Sequence, residues 1–238
     1  MPEGVFGRGP PGKPPGMNGT EWSVCDIRGR SAGRRGSGRA TEPWLWAGDR
    51  LALTDPSHRP QYRGAVLFTC GGTLIVDVPY NGDPGWIRPV PGAAAALAAV
   101  RGRGLAVGVL TQEPGVARYL LTRDQVDLVR RRCQQLLGPF DVWAVCPHAP
   151  ADGCLCRRPA PGLVAAACRG LGLAADRVTV IGSDPRDLAA ARAAGASAVR
   201  TAGVCAEPEA LRATALAAAD LAVATDRAPS PAGGPGRR

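Results

Sequence analysis

Four side chains with metal-ligating chemistry fall within one short stretch: Cys146, His148, Cys154 and Cys156, in CPHAPADGCLC. A C-x-H pair is followed by a C-x-C pair, and the chain between them is long enough to fold both around one ion. Three sulfurs and an imidazole suit tetrahedral Zn²⁺, and four protein ligands leave no position for water. The pattern therefore predicts a structural zinc. Clustered free thiols are the competing reading, and ligand type and spacing favour the metal. Cys25, Cys70, Cys133, Cys168 and Cys205 follow no pairing pattern. A disulfide framework would go with export. The opening MPEGVFGRGPPGKPPG has no apolar signal core, and the RRGS at Arg34 to Ser37 is not followed by an apolar stretch. Reduced thiols in a cytoplasmic setting are expected.

The elements that must position this cluster are written in the hydropathy pattern from Gly64 onward. Short apolar runs at 65–68, 105–110, 142–145, 178–181 and 198–200 read as buried strands. Helices are expected at 93–101, 122–137, 161–171 and 185–194. Such alternation predicts an α/β fold, a doubly wound parallel sheet covered on both faces. Ligands of such sheets bind beyond the carboxyl ends of the strands. Residues 1–40 are dominated by Gly, Pro, Arg and Ser and read as a disordered arm. Residues 41–63, with Trp44, Leu45, Trp46, Leu51 and Leu53, read as a lead-in segment that packs onto the domain. The main domain is assigned to 64–205, an Ala-rich amphipathic helix to 206–225 and a disordered tail to 226–238.

Composition narrows the function classes. The formal charge is +9, Lys13 is the only lysine, and Ala, Gly and Pro are abundant. A high-GC codon bias explains that balance without a nucleic-acid partner, which would need a basic patch in aromatic or helical context. The densest basic cluster, Arg28 to Arg39, lies in Gly/Ser-rich sequence, so nucleic acid is disfavoured. No apolar run approaches the ~20 residues of a membrane helix, and no membrane partner is expected. His58 reads as solvent-exposed, and Trp86 as a packing residue.

Four segments fall at strand ends. They are Thr69-Cys70-Gly71-Gly72-Thr73, the stretch TQEPGVAR from Thr111 to Arg118, Cys156-Arg157-Arg158-Pro159, and GSDPRD from Gly182 to Asp187. In this order the chain resembles the haloacid dehalogenase (HAD) superfamily, subfamily IIIA, in its histidinol-phosphate and heptose-bisphosphate phosphatase branch. That branch carries a zinc loop of the same type directly before an Arg-Lys-Pro segment. The resemblance covers about residues 64–205, including Asp77, Tyr80 and Pro91-Gly92. It implies a HAD-like Rossmannoid sheet with a zinc-binding loop and no large cap domain.

The resemblance also implies phosphoryl transfer through an aspartyl-phosphate, from an Asp-x-Asp-Gly-Thr motif with Mg²⁺. Its first Asp attacks phosphorus and its second is general acid and base. This chain has Thr69 and Gly71 at those positions. Its third-motif lysine is Arg158, a planar fork rather than a point charge. Its fourth-motif first Asp is Ser183, followed by Asp184, with Asp187 in place as a magnesium ligand. An alcohol needs an adjacent base to attack, and general acid–base help is worth ~10²–10⁴-fold. The resemblance thus implies a catalytically impaired member, a pseudoenzyme, with its Mg²⁺ site in doubt.

Backbone N–H groups of the Thr69–Thr73 loop, Thr111, Gln112, Arg157 and Arg158 are expected to converge as a phosphate cradle. With two carboxylates gone, its field is expected to be more positive. The first functional reading is a protein that binds a phosphorylated sugar or similar metabolite. The second is an active phosphatase in which Asp184 and Asp187 hold Mg²⁺ for direct water attack. The third is an interaction protein stapled by zinc.

Overall fold

The computed structural model of the chain describes residues 42–47, 61–202 and 207–224. The expected arm at 1–40, the tail at 226–238, His58 and most of the lead-in lie outside those residues. Six strands form one sheet: β1 (Trp44–Ala47), β2 (Ala65–Thr69), β3 (Ala106–Gln112), β4 (Val142–Cys146), β5 (Val178–Gly182) and β6 (Ser197–Arg200). Their order is β1-β4-β3-β2-β5-β6, which puts β2 in the middle. Strands β2 to β6 run parallel, with Leu67 opposite both Gly108 and Val180.

Every residue of β2, β4 and β5 is buried, as strands covered on both faces should be. Successive side chains alternate between two helical layers. Val66 and Phe68 face α1 (Ala93–Arg101), α3 (Arg123–Leu137) and α6 (Pro208–Ala224). Ala65 and Leu67 face α4 (Gly162–Leu171) and α5 (Pro185–Ala193). A one-turn helix, α2 (Pro114–Ala117), follows β3 directly. Local chemistry sets the ends of α3. The Thr122 hydroxyl accepts from the Gln125 amide at 3.2 Å, and the Gln125 side chain accepts from the Thr122 amide at 2.9 Å. This reciprocal capping box satisfies two orphan donors of the first turn.

Two features differ from the sequence expectations. Part of the lead-in is β1, and it pairs antiparallel with β4, Trp46 opposite Trp143. The sheet is therefore mixed, because β4 would otherwise present an open edge. The guanidinium of Arg123 lies 5.0 Å from the Trp44 ring centre and 5.5 Å from that of Trp46, and Arg130 lies 5.6 Å from Trp46. These contacts hold β1 against α3. The second difference is Trp86, which sits in a single 3-10 turn (Pro84–Trp86) and is 54% exposed rather than packed. The segment 70–92 has no other helix, so the described residues contain no cap domain between β2 and α1. No helix among them is long and apolar enough to cross a membrane.

Candidate active-site cavity and metal cluster

Beyond the carboxyl ends of β2 and β3 lies a cavity of about 290 Å³. Thr69 and Gly71 reach it from the end and turn of β2, Thr111 and Gln112 from the end of β3, Glu113 from the junction of β3 and α2, Arg158 from the loop after β4, and Asp187 from α5. Four dispersed segments thus meet at one mouth, as their strand-end positions predict.

The polar groups at this mouth are engaged with one another. Thr69 Oγ1 and Thr73 Oγ1 are 2.7 Å apart. The Thr111 hydroxyl donates to Glu113 Oε1 at 2.9 Å. Arg158 donates to Asp187 Oδ2 at 2.6 Å, and its other terminal nitrogen is 3.5 Å from Asp184 Oδ2. Within the β2 turn the Cys70 amide donates to Leu110 O, that of Gly72 to Ile75 O and that of Thr73 to Cys70 O. An amide cradle of the expected breadth is therefore reduced, because three of its donors are spent within the fold. Acidic residues also outnumber basic ones at the mouth. Asp77, Glu113 and Asp187 line the cavity against the single cation Arg158. Loss of carboxylates at 69 and 71 has not left a positive mouth.

Burial, and secondarily the nearby Asp77 carboxylate, push Glu113 up to about 6, with the Thr111 hydroxyl working the other way. Burial also raises Asp187, and the Arg158 guanidinium opposes it. Asp184 does not reach the cavity. Its carboxylate caps α5 on the Arg186 amide at 2.8 Å and pairs with the Arg186 side chain at 2.7 Å, which lowers it to about 2. Arg157 also turns away, donating to His148 O at 3.3 Å. The second of the two adjacent arginines serves the cavity and the first serves the neighbouring loop.

That loop gathers Cys146, His148, Cys154 and Cys156, whose ligand atoms all lie within 4.8 Å of one another and could hold a metal ion. Cys146 Sγ is 3.8 Å from Cys154 Sγ and 3.7 Å from His148 Nδ1. Cys156 Sγ is 3.6 Å from Cys154 Sγ and 3.1 Å from His148 Nδ1. The Cys156 thiol, followed by burial and by His148 and Cys154, shapes the Cys146 group, whose net displacement is down to about 5; Cys156 itself is raised. The loop is fastened to the cavity wall, since Glu113 N donates to Cys146 O at 2.8 Å and Gln112 Nε2 to Cys156 O at 3.4 Å. Gln112 Oε1 is buried without a partner.

Sequence reasoning missed Glu113 as a cavity residue. Its place directly after β3, at the carboxyl end of a strand, was the available signal.

Residues 72–195 match the family model of haloacid dehalogenase-like hydrolases. Among curated proteins, the D-glycero-beta-D-manno-heptose-1,7-bisphosphate 7-phosphatase of Pseudomonas putida is 32% identical over 118 residues, covering 48% of this chain and 67% of that protein. The enzyme of the same name from Pseudomonas aeruginosa is 32% identical over 112 residues, 45% of this chain and 62% of its own length. That from Mesorhizobium japonicum is 30% identical over 166 residues, 65% and 75% of the respective chains. Among solved structures, a HAD-like phosphatase from Mesorhizobium loti superposes with a TM-score of 0.58 at 22% identity, covering 74% of this chain and 94% of the other. The D,D-heptose 1,7-bisphosphate phosphatase of B. bronchiseptica, complexed with magnesium and phosphate, gives 0.55 at 23% identity, covering 61% and 96%. Fold, strand-end motifs and family match agree that this chain belongs to the haloacid dehalogenase-like hydrolases.

Proposed function

We propose that this chain takes a phosphorylated small molecule, such as a phosphosugar, into the cavity beyond β2 and β3. We further propose that it hydrolyses phosphate monoesters poorly or not at all by the family's covalent route. One observation carries the reading. The position that should offer a nucleophilic carboxylate offers Thr69, whose hydroxyl is hydrogen-bonded to the Thr73 hydroxyl rather than to a base. An alcohol in that state is a poor nucleophile. The remaining fourth-motif carboxylates are held by guanidinium groups, Asp187 by Arg158 and Asp184 by Arg186. A divalent cation would have to compete with those arginines. The relatives named for heptose bisphosphate support a phosphosugar as the ligand class.

The test is phosphate release by the purified chain with Mg²⁺ from heptose 1,7-bisphosphate, histidinol phosphate and p-nitrophenyl phosphate. Thermal unfolding would be measured beside it. The expected result is no release above background, with a Tm raised by the phosphosugar. Mg²⁺-dependent release that disappears in Asp184→Ala would overturn the impaired reading. An unmoved Tm with every phosphate ester would overturn the ligand reading.

The Cys/His loop is assigned one structural Zn²⁺. A tetrahedral ion with Zn–S of ~2.3 Å sets S···S edges of ~3.8 Å, and the Cys146–Cys154 and Cys154–Cys156 edges are 3.8 and 3.6 Å. A thiolate-rich, four-protein-ligand set favours zinc over hard cations. Metal analysis should find one zinc per chain, and chelation should lower Tm reversibly. A metal-free chain with an unchanged Tm would contradict the assignment.

A further inference from the structure

We propose that Asp77 supplies the acid–base carboxylate that position 71 has lost. The inference rests on the reading of this cavity as a phosphate-ester site.

The β2 turn brings Asp77 back to the position it has skipped. The Cys70 carbonyl accepts from the Leu74 and Ile75 amides at 3.0 and 3.2 Å, and Gly72 N donates to Ile75 O at 2.9 Å. The strand-like contacts Gly71–Ile75 and Ile75–Pro89, with Val76 N donating to Arg88 O, then lay residues 75–77 alongside Gly71. A Cβ placed on Gly71 would stand 2.5 Å from Asp77 Oδ1 and 3.1 Å from its Cγ. The space where a side chain at 71 would begin is filled by the carboxylate of Asp77. Either a side chain at 71 or the present position of Asp77 is allowed, not both.

The other acids of the cavity are occupied. Asp187 is paired with Arg158, and Glu113 holds the Thr111 hydroxyl. Asp77 lines the same cavity, and its carboxylate has no hydrogen bond or ion pair among the described residues. It is the lining carboxylate with both oxygens available for a ligand's proton.

The chemistry this allows appears once a nucleophile is restored at 69. In Thr69→Asp, the new carboxylate oxygen bonds to phosphorus as the bond from phosphorus to the ester oxygen breaks. The electron pair leaves on that oxygen, which takes the proton of Asp77. Asp77, now a carboxylate, takes a proton from the water that attacks the aspartyl-phosphate. Inorganic phosphate leaves, and the carboxylate at 69 and the acid at 77 are regenerated.

The leaving group supplies the test. A p-nitrophenolate departs without a proton, whereas a sugar or glycerol alkoxide needs one. With Mg²⁺ present, Thr69→Asp is expected to hydrolyse both p-nitrophenyl phosphate and glycerol phosphate. In single turnover, Thr69→Asp/Asp77→Asn should keep the burst of p-nitrophenolate, whose departure needs no acid, and lose alcohol release from the alkyl ester by roughly 10²–10⁴-fold. A retained aryl burst shows that the double variant is folded and has its nucleophile. Thr69→Asp/Gly71→Asp/Asp77→Gly moves the carboxylate to position 71 and should recover the alkyl reaction. Equal loss or equal retention of first-turnover leaving-group release from both substrates on Asp77→Asn overturns the inference. So does a triple variant that works while Thr69→Asp is silent, and so does silence of both on the aryl ester, since no chemistry then exists there for Asp77 to serve. Failure of the ligand reading shows separately, as the absence of thermal protection of the unaltered chain by a phosphosugar.

Discussion

On the proposed reading of the cavity as a phosphate-ester site, Glu113 governs how it treats an anion. Its carboxylate holds the Thr111 hydroxyl, and burial pushes it up to about 6. Above that pH the cavity gains a negative charge close to the hydroxyl that would otherwise receive a phosphate oxygen. Below it the charge is gone. Sulfate separates this effect from the titration of phosphate itself, because sulfate does not change charge in this range. Protection of the unaltered chain by sulfate should strengthen several-fold as pH falls from about 8 to about 5. In Glu113→Gln, neutral throughout, the dependence should flatten while the amide oxygen still accepts from Thr111. A slope identical in both proteins would remove Glu113 from the account. The sign for stability follows from linkage. A carboxyl raised above its ordinary 4.5 contributes stability fully below 4.5 and loses it as pH rises through about 6, at most about 2 kcal/mol. Thr69, Gly71, Thr111 and Arg158 were legible through the family resemblance of segments that the hydropathy pattern puts at strand ends, where residues have few places to go. The pairing of Arg158 with Asp187, and the turning of Arg157 to His148, were not legible. Two adjacent arginines are equivalent in sequence, and only the tertiary position of a carboxylate or carbonyl separates them.

At the scale of elements, the metal loop and α4 form one unit. Gly162 opens α4, and its amide donates to Leu155 O at 2.8 Å, in the middle of the C-x-C pair. A Cβ there would run into that carbonyl, well inside contact distance, and into Leu155 C at 2.8 Å. The obstacle is backbone that also sets Cys154 and Cys156, so it cannot turn aside as a side chain would. Gly162→Ala should therefore cost about 1–3 kcal/mol of stability by denaturant titration and weaken zinc retention against a chelator. Normal zinc retention with lost stability would mean that α4 yields and the loop does not. The parallel core was readable because β2, β4 and β5 are unbroken apolar runs with helices between them. β1 was not. Four residues of edge strand carry no alternation long enough to register, and their partner β4 lies about a hundred residues away in sequence.

For the whole molecule, that same short strand closes the sheet on the side where the metal loop begins. β4 reads Val-Trp-Ala-Val-Cys and is buried throughout, with β3 on one side and only β1 on the other. Its last residue is Cys146, the first of the four side chains that could hold a metal ion. Without β1, the backbone of an apolar strand would lie open, a template for pairing with another chain. Trp44 and Trp46 keep β1 in place through the arginine contacts from α3, so this lid depends on side chains as well as on the ladder. Replacing Trp44–Ala47 with alternating Gly and Ser removes the apolar and cation–π contacts and weakens the strand. Light scattering after size exclusion should then show more high-mass species than for the unaltered chain at equal concentration. The α/β signal in far-UV circular dichroism should be largely kept, because the five parallel strands and both helical layers remain. Arg123→Ala/Arg130→Ala should move the same way by less, since it removes the clamp and leaves the ladder. An unchanged mass distribution in the Gly/Ser variant would mean that β4 is protected by something other than β1, and would break the link between this edge and the metal loop.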